Sequence, residues 1–399
     1  MPLNFTARAW LGAMLMIGGL SAQSAPLLIK IVGAAPLTGD QAASNIPIRN
    51  GIVLAVEEAT ARFAKLGVKL EYLEADDQGN EAVGVSVAQR VAADASVLGV
   101  VGHVNSSVSL KAMLVYARSD LLMISAASTN PSLTTQGLTN VARVCGRDDV
   151  QGPIAAQFVR DNLGLRRVFI VNEGTGYGLG LANAFRTRAI AIGLNVVGFV
   201  TNPDTSATGA KPLEPSFWQG LAQQIKLYQP QAVYYSGVDP QGGALVKALN
   251  AAGYTGSIIA PDGIDTDNFV KLAGPAAKGV YYTSTAGLLS LLPNATGFIK
   301  RFQTRFKIPP ESYSAYAYDA TNVVVEAIWS AYKSAGSKIP SRATVSKAAR
   351  ATEISGVTGQ IGFTAGGDRR LADYFVLQFK TAKYPGVIVR KLSSAPPAP

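Results

Sequence analysis

The feature that most constrains this chain is a rhythm. Short apolar runs recur at intervals of about 25–35 residues, at 28–32, 69–73, Val97–Val101, 121–124, 168–171, 196–200, 232–235, 258–260 and 280–282. Runs of that length read as buried strands, and the spacing leaves room for a helix between successive strands, the pattern of βαβ units on a parallel sheet. The intervening segments carry that helix: Ile52, Val56, Ala59 and Phe63 are apolar at helical spacing with Glu57, Glu58 and Arg62 on other faces, and Val83, Val87 and Val91 repeat the arrangement. Gly152-Pro153 reads as a helix start, with Ile154 and Phe158 marking a buried stripe. The strands fall into two series, divided by the polar, aperiodic Cys145-Gly146-Arg147-Asp148-Asp149. Helices are expected over Ala295–Phe306 and 315–334, turn-rich hairpin connections at 358–363 and 365–368, and a strand at 374–379. The fold class that follows is α/β, with two doubly wound, Rossmann-like units.

The first 25 residues read as an export signal: Arg8, an apolar stretch from Ala9 to Leu20, then Ser21-Ala22-Gln23-Ser24-Ala25, with cleavage expected between Ala22 and Ala25. The apolar stretch falls short of the roughly 20 residues that span a bilayer. Cys145 is the single cysteine, so no internal disulfide forms, and with His103 as the single histidine a zinc site of His and Cys ligands is excluded; no cofactor and no metal is expected. Losing Arg8 takes the formal charge from +10 to +9, yet Lys and Arg are scattered, with pairs such as Arg166-Arg167 and no basic run. That is a solvated basic surface and no nucleic-acid partner.

Enzyme signatures are missing as well. Gly174-Thr175-Gly176-Tyr177-Gly178-Leu179-Gly180 follows a strand, but no three of its glycines fit the dinucleotide fingerprint. There is no phosphate-binding G-K-[ST] loop and no G-x-S-x-G elbow, and only His103 could serve a Ser-His-Asp triad. A structural role suits that histidine better than a general base.

Two strand ends carry chemistry. Gly102-His103-Val104-Asn105-Ser106-Ser107 and Ser125-Ala126-Ala127-Ser128-Thr129 each empty an apolar strand into a hydroxyl-rich turn. Ligands of open α/β sheets bind beyond the carboxyl ends of the strands, where hydroxyls and free backbone N–H groups suit an anion such as a carboxylate. Ser106 and Thr129 also read as helix caps. Asp262, after Ile258-Ile259-Ala260-Pro261, is a site acid or a turn residue, and Tyr177 belongs equally to site, surface or core.

Taken in order and spacing, several segments resemble the type I periplasmic binding proteins, specifically the leucine/isoleucine/valine-binding family of ABC-transporter receptors. They are Ile31-Val32-Gly33-Ala34 with Leu37-Thr38-Gly39, Asp76-Asp77, Gly102 to Ser107, Leu122 to Pro131, Gln151-Gly152-Pro153, Tyr177-Gly178-x-Gly180-Leu181-Ala182, Val233-Tyr234-Tyr235-Ser236-Gly237 and Pro261-Asp262-Gly263. The resemblance implies two lobes joined by three crossover strands: 26–146 with 283–358, and 147–282 with 359–392, followed by a disordered tail at 393–399. It implies that Ser106 and Thr129 bind an amino acid's carboxylate, that Ala127 offers its carbonyl to the ammonium, and that Asp262 and Tyr177 answer from the other lobe.

The chain departs from the family in three places. Ser44 and Val238 stand where tyrosines commonly cover the side-chain pocket, Asp262 replaces a longer glutamate, and Gly79 and Asn105 occupy the positions of a cysteine pair seen in some members. The expected protein is a monomeric periplasmic receptor presenting an amino acid, branched-chain-like, to a membrane permease. The alternatives are the same fold binding an aromatic acid or amide, a sensor receptor without transport, and a secreted hydrolase.

Overall fold

The computed structural model describes Met1 and residues 27–204, 213–292, 294–336 and 338–397. Residues 2–25 of the expected export signal and the last two residues of the expected tail lie outside them. The first sheet has the order β2-β1-β3-β4-β5, all parallel, from β1 (Leu27–Ala35), β2 (Val68–Asp76), β3 (Val97–Val101), β4 (Leu122–Ser125) and β5 (Val141–Arg143). Between these strands run α1 (Ala42–Ala64), α2 (Glu81–Ala93) and α3 (Ser106–Ala117). Alternation sorts β1 onto both faces: Ile29 and Ile31 enter one core, Val32 and Ala34 the other, as a strand buried on two sides requires.

The second sheet has the order β14-β13-β10-β9-β8-β6-β7, from β6 (Arg167–Asn172), β7 (Asn195–Thr201), β8 (Ala232–Ser236), β9 (Ser257–Ala260), β10 (Tyr281–Ser284), β13 (Ala372–Gln378) and β14 (Val387–Ser394). Its helices are α4 (Asp148–Gln157), α5 (Gly176–Ala191), α6 (Pro215–Leu227), α7 (Asp239–Ala251) and α8 (Asp267–Ala273). β13 and β14 join antiparallel, the rest parallel.

The chain then returns to the first lobe. Helices α9 (Ala295–Phe306), α10 (Ser312–Ser334) and α11 (Arg342–Ala351) pack there, α10 along α1 and against β3, with the small hairpin of β11 (Ile354–Gly356) and β12 (Gly359–Ile361) beside α10. Close approach of α1 and α10 depends on Gly51, where a Cβ would come within 2.2 Å of the Ser314 carbonyl oxygen. Among the described residues the chain passes between lobes three times, at residues 144–147, 285–292 and 362–371. Asp368 ties two of these passages, accepting from Arg147 Nη1 at 2.8 Å and forming an ion pair with Arg143, whose Nε lies 2.8 Å away. No described helix is long and apolar enough to cross a membrane.

Two boundaries correct the sequence reading. β14 runs through Ser394, so Ser393 and Ser394, assigned to the tail, pair with Asp373 and Ala372. This edge strand alternates half-buried and exposed residues, and its apolar run stops at Val389, before Arg390 and Lys391. The helix expected to begin at Gly152-Pro153 begins at Asp148 instead, with Pro153 inside it. An acidic first turn of Asp148 and Asp149 complements the helix N-terminus, which outweighs the proline signal.

Candidate functional site

The site lies between the carboxyl ends of the two sheets. β3 opens into α3 through Asn105, and Ser106 is the first helical residue. The turn after β4 is pinned to that loop: Ser109, Ser125 and Ser128 each donate through Oγ to the His103 carbonyl at 3.0 Å. The backbone N–H of Asn130 points at Ser106 Oγ, 3.4 Å away. Neither hydroxyl caps a helix. Asn105 holds the cap position of α3, and Asn130, accepting from Ser132 N at 2.9 Å, caps the short turn that follows Thr129.

From the second lobe, Thr175 caps α5 by accepting from Gly178 N at 3.0 Å, which places Tyr177 in the first turn. Its hydroxyl donates to Asp262 Oδ1 at 2.7 Å and accepts from Gly263 N at 3.1 Å. Asp262 follows β9 and is buried. Gln151 Nε2 of α4 donates to Oδ1 at 2.7 Å, and Tyr313 of α10, on the first lobe, donates to Oδ2 at 2.6 Å. Burial raises the Asp262 carboxyl above its ordinary value, while those three donors pull it back.

Ser44, Ser106, Ala127, Tyr177, Val238 and Asp262, all named by the sequence, line one interlobe cavity. Asn105 and Ile48 contribute from the first lobe and Thr266 from the second. A polar outer chamber carrying Gln41, Gln78, Asn80, Glu173 and Gln241 shares Ser106, Tyr177 and Val238 with it. Thr129 does not line the cavity; it is fully buried, and its hydroxyl hydrogen-bonds the Asp148 carboxyl, opposing the rise that burial imposes there. Gly79 and Asn105 are close, a Cβ at Gly79 lying 3.7 Å from Asn105 Oδ1.

The lobes meet directly. Ser44 Oγ donates to Asp239 Oδ2, which also accepts from Thr266 Oγ1 at 3.0 Å and Asn268 Nδ2 at 2.9 Å. Ser107 Oγ accepts from Gly176 N at 3.0 Å, while Asn130 Nδ2 donates to the Gly176 carbonyl at 2.9 Å. This is a closed cleft.

Sequence reasoning missed three residues here. Tyr313 precedes the apolar stripe by which α10 was found, and the signal available was the capping box of Glu311 and Ser314. Asp239 sat unremarked beside Val238. Asp148 was read only as part of a polar break. It is buried, and burial, then the Asp262 charge, raise its carboxyl well above the ordinary value.

His103 is fully buried, Nδ1 at 2.6 Å from Asp77 Oδ2 and Nε2 at 3.1 Å from the Tyr116 hydroxyl. It faces the first-lobe core, where no serine hydroxyl contacts its ring among the described residues.

A closable cleft lined by hydroxyls, backbone groups and a buried acid from opposite lobes defines a solute-binding protein built on two hinged α/β lobes. The chain belongs to the periplasmic binding protein family, whose profile matches residues 28–384. It is similar to the Leu/Ile/Val-binding protein homolog 2 of Brucella abortus, 31% identical over 92% of this chain and 94% of that one. Among solved structures it is similar to the leucine-binding protein LivK of Thermotoga maritima, with a TM-score of 0.79 and 26% identity over 91% of this chain and 98% of that one. LivJ of Streptococcus pneumoniae in complex with isoleucine shares the fold, with a TM-score of 0.79 and 23% identity, covering 92% and 100%.

Proposed function

We propose that this protein is an exported receptor of an ABC importer, capturing an amino acid between its lobes and handing it to a membrane permease. The observation that carries the reading is the buried Asp262 carboxylate facing, across one cavity, the hydroxyl of Ser106 and the carbonyl-bearing turn at Ala127. A zwitterion brings two charges out of water, and each needs a partner of opposite sign once the cleft shuts. With hydroxyls and N–H groups on one lobe and the acid on the other, the ligand binds the closed state best and so shifts the population toward it. Relatives that carry Leu/Ile/Val-binding names support the ligand class.

Ser106 serves the carboxylate from the cavity wall and the Thr129 turn backs it from behind, the Ala127 carbonyl and Asp262 serve the ammonium, Tyr177 supports Asp262, and Ser44 and Val238 bound the side chain. The lobes are residues 27–143 with 295–361 and 148–284 with 372–394, moving as a monomer about the Asp368 tie; residues 1–25 are removed on export. No bond in the ligand is made or broken.

Titration of the mature protein with an amino-acid panel and with benzoate-like acids tests this. Asp262→Ala should cost about 3–5 kcal/mol of affinity for an amino acid, because an ammonium is left buried and unpaired. Binding confined to acids without an ammonium, or a loss below about tenfold, would reject the assignment.

A further inference from the structure

The cavity that holds the ligand does not end at its side-chain wall. Val238, which bounds the side chain in the reading above, also lines the outer chamber, and Gln41, Asn105, Ser106 and Tyr177 line both spaces with it. A side chain passing along Val238 therefore enters a second space of different chemistry. Amides dominate its wall: Gln41, Gln78, Asn80, Asn105 and Gln241. Asp40 and Glu173 add carboxyl groups, and among the described residues no Lys, Arg or His lines either chamber.

Two of these side chains define what the wall accepts. Asn105 stands where the chambers join; its Nδ2 donates to Gln41 Oε1 at 2.9 Å, while its Oδ1 is buried with no hydrogen-bond partner among the described residues. A buried acceptor left unpaired is costly, so this position calls for a donor. Glu173, 3% exposed, is an acid held in place. Its Oε1 accepts from Thr175 Oγ1 at 2.6 Å and its Oε2 from Val238 N at 2.7 Å, and a Cβ at Gly237 would come within 2.6 Å of Oε2. A carboxylate has about four acceptor positions, so each oxygen keeps one for an incoming donor.

We infer that the outer chamber is a second subsite, and that it selects an amino acid whose side chain ends in N–H donors, a urea or guanidinium group, over one that is aliphatic or acidic there. This rests on the amino-acid reading, with the α-ammonium on Asp262, and narrows its ligand class. An aliphatic end would leave the Asn105 oxygen unpaired and displace water from the amides without replacing its hydrogen bonds. A carboxylate end would face Asp40 and Glu173 with no cation to meet it. Urea and guanidinium ends present several N–H groups in one plane, so one end group answers more than one acceptor.

The test is calorimetric titration of the mature protein with L-norleucine, L-citrulline, L-arginine and L-glutamate, which share the α-amino acid group and differ in what reaches outward. The better of citrulline and arginine is expected to bind at least about tenfold more tightly than norleucine, with glutamate weaker than that ligand. Asn105→Leu nearly keeps the shape of the side chain and removes its amide, and α3 loses no cap bond because that side chain makes none. The variant should cut the preference for the better ligand over norleucine by at least about fivefold. A purely structural role would weaken every ligand alike and leave the preference intact. The wild-type panel needs no variant, and melting of ligand-free Asn105→Leu shows whether it folds. Norleucine within about tenfold of both citrulline and arginine, glutamate as tight as the better of them, or an unchanged preference in the folded variant overturns the inference alone. A wild type that binds isocaproate or benzoate but no amino acid overturns the parent reading.

Discussion

The Tyr313 hydroxyl of α10 donates to Asp262 Oδ2 at 2.6 Å, a hydrogen bond that spans the cleft from the first lobe to the acid of the second. Tyr313 is also held by Thr285 Oγ1 at 2.8 Å, on the second passage between the lobes. The acid is therefore positioned partly by the lobe that must move toward it, so closing the cleft completes its environment.

Tyr313→Phe keeps the ring and removes this donor. It should lower amino-acid affinity by about ten- to 150-fold, the share of a hydrogen bond to a charged group of about 1.5–3 kcal/mol. Calorimetry reads the affinity, and small-angle scattering of the ligand-free form should show a more extended particle. An unchanged affinity and shape would mean that the contact is incidental.

Asp265 gives a pH prediction. It is buried, accepts from Ser284 Oγ at 2.7 Å, and is pushed up to about 7 by burial. The folded state then holds a proton that the unfolded chain releases, so stability falls as pH rises from about 4 toward 7. A carboxyl held that high costs on the order of 4 kcal/mol at neutral pH. Asp265→Asn should flatten the fall in that window, measured by urea unfolding at several pH values. Parallel curves for variant and wild type would refute it.

Strand positions were legible because parallel strands buried on both faces leave unbroken apolar runs: Val97–Val101 is β3 as read, and Ala295–Phe306 is α9 as read. What the reading passed over is the edge strand β14, whose apolar run stops at Val389, and α11, whose buried stripe is only Val345, Ser346 and Ala349. In the site, residues at strand ends were found because the fold class dictates where ligands bind. Asp148, Asp239 and Tyr313 escaped because each acts through a partner more than 50 residues away or in the other lobe, Tyr313 reaching Asp262 across 51 positions and Asp239 reaching Ser44 across 195. No local pattern encodes such a meeting.

The hinge offers a stability test. Asp368 is the shared counter-ion of the buried Arg143 and Arg147, and the neighbouring Arg369 donates to the carbonyls of Val144, Thr358 and Gln360. Asp368→Ala leaves Arg143, fully buried, without its counter-ion. The expected loss is about 3–5 kcal/mol in denaturant unfolding, and a loss near zero would show the pair solvated in solution.

Gly176 separates closure from folding. Its peptide is bracketed by the first lobe, its N–H on Ser107 Oγ and its carbonyl on Asn130 Nδ2, and a Cβ there would come within 3.1 Å of that same Ser107 oxygen. Its φ is not in the left-handed region, so alanine strains no backbone, and within its own lobe α5 gains helix propensity. The added methyl can be relieved by parting the lobes, which also breaks both hydrogen bonds. Gly176→Ala should therefore speed ligand release by about two- to tenfold, corresponding to a hydrogen bond of about 0.5–1.5 kcal/mol, while the melting temperature of the ligand-free protein holds or rises. Stopped-flow release and thermal melting measure the two effects separately. A slower release, or a destabilised ligand-free protein, would place the Gly176 contact outside the closing motion.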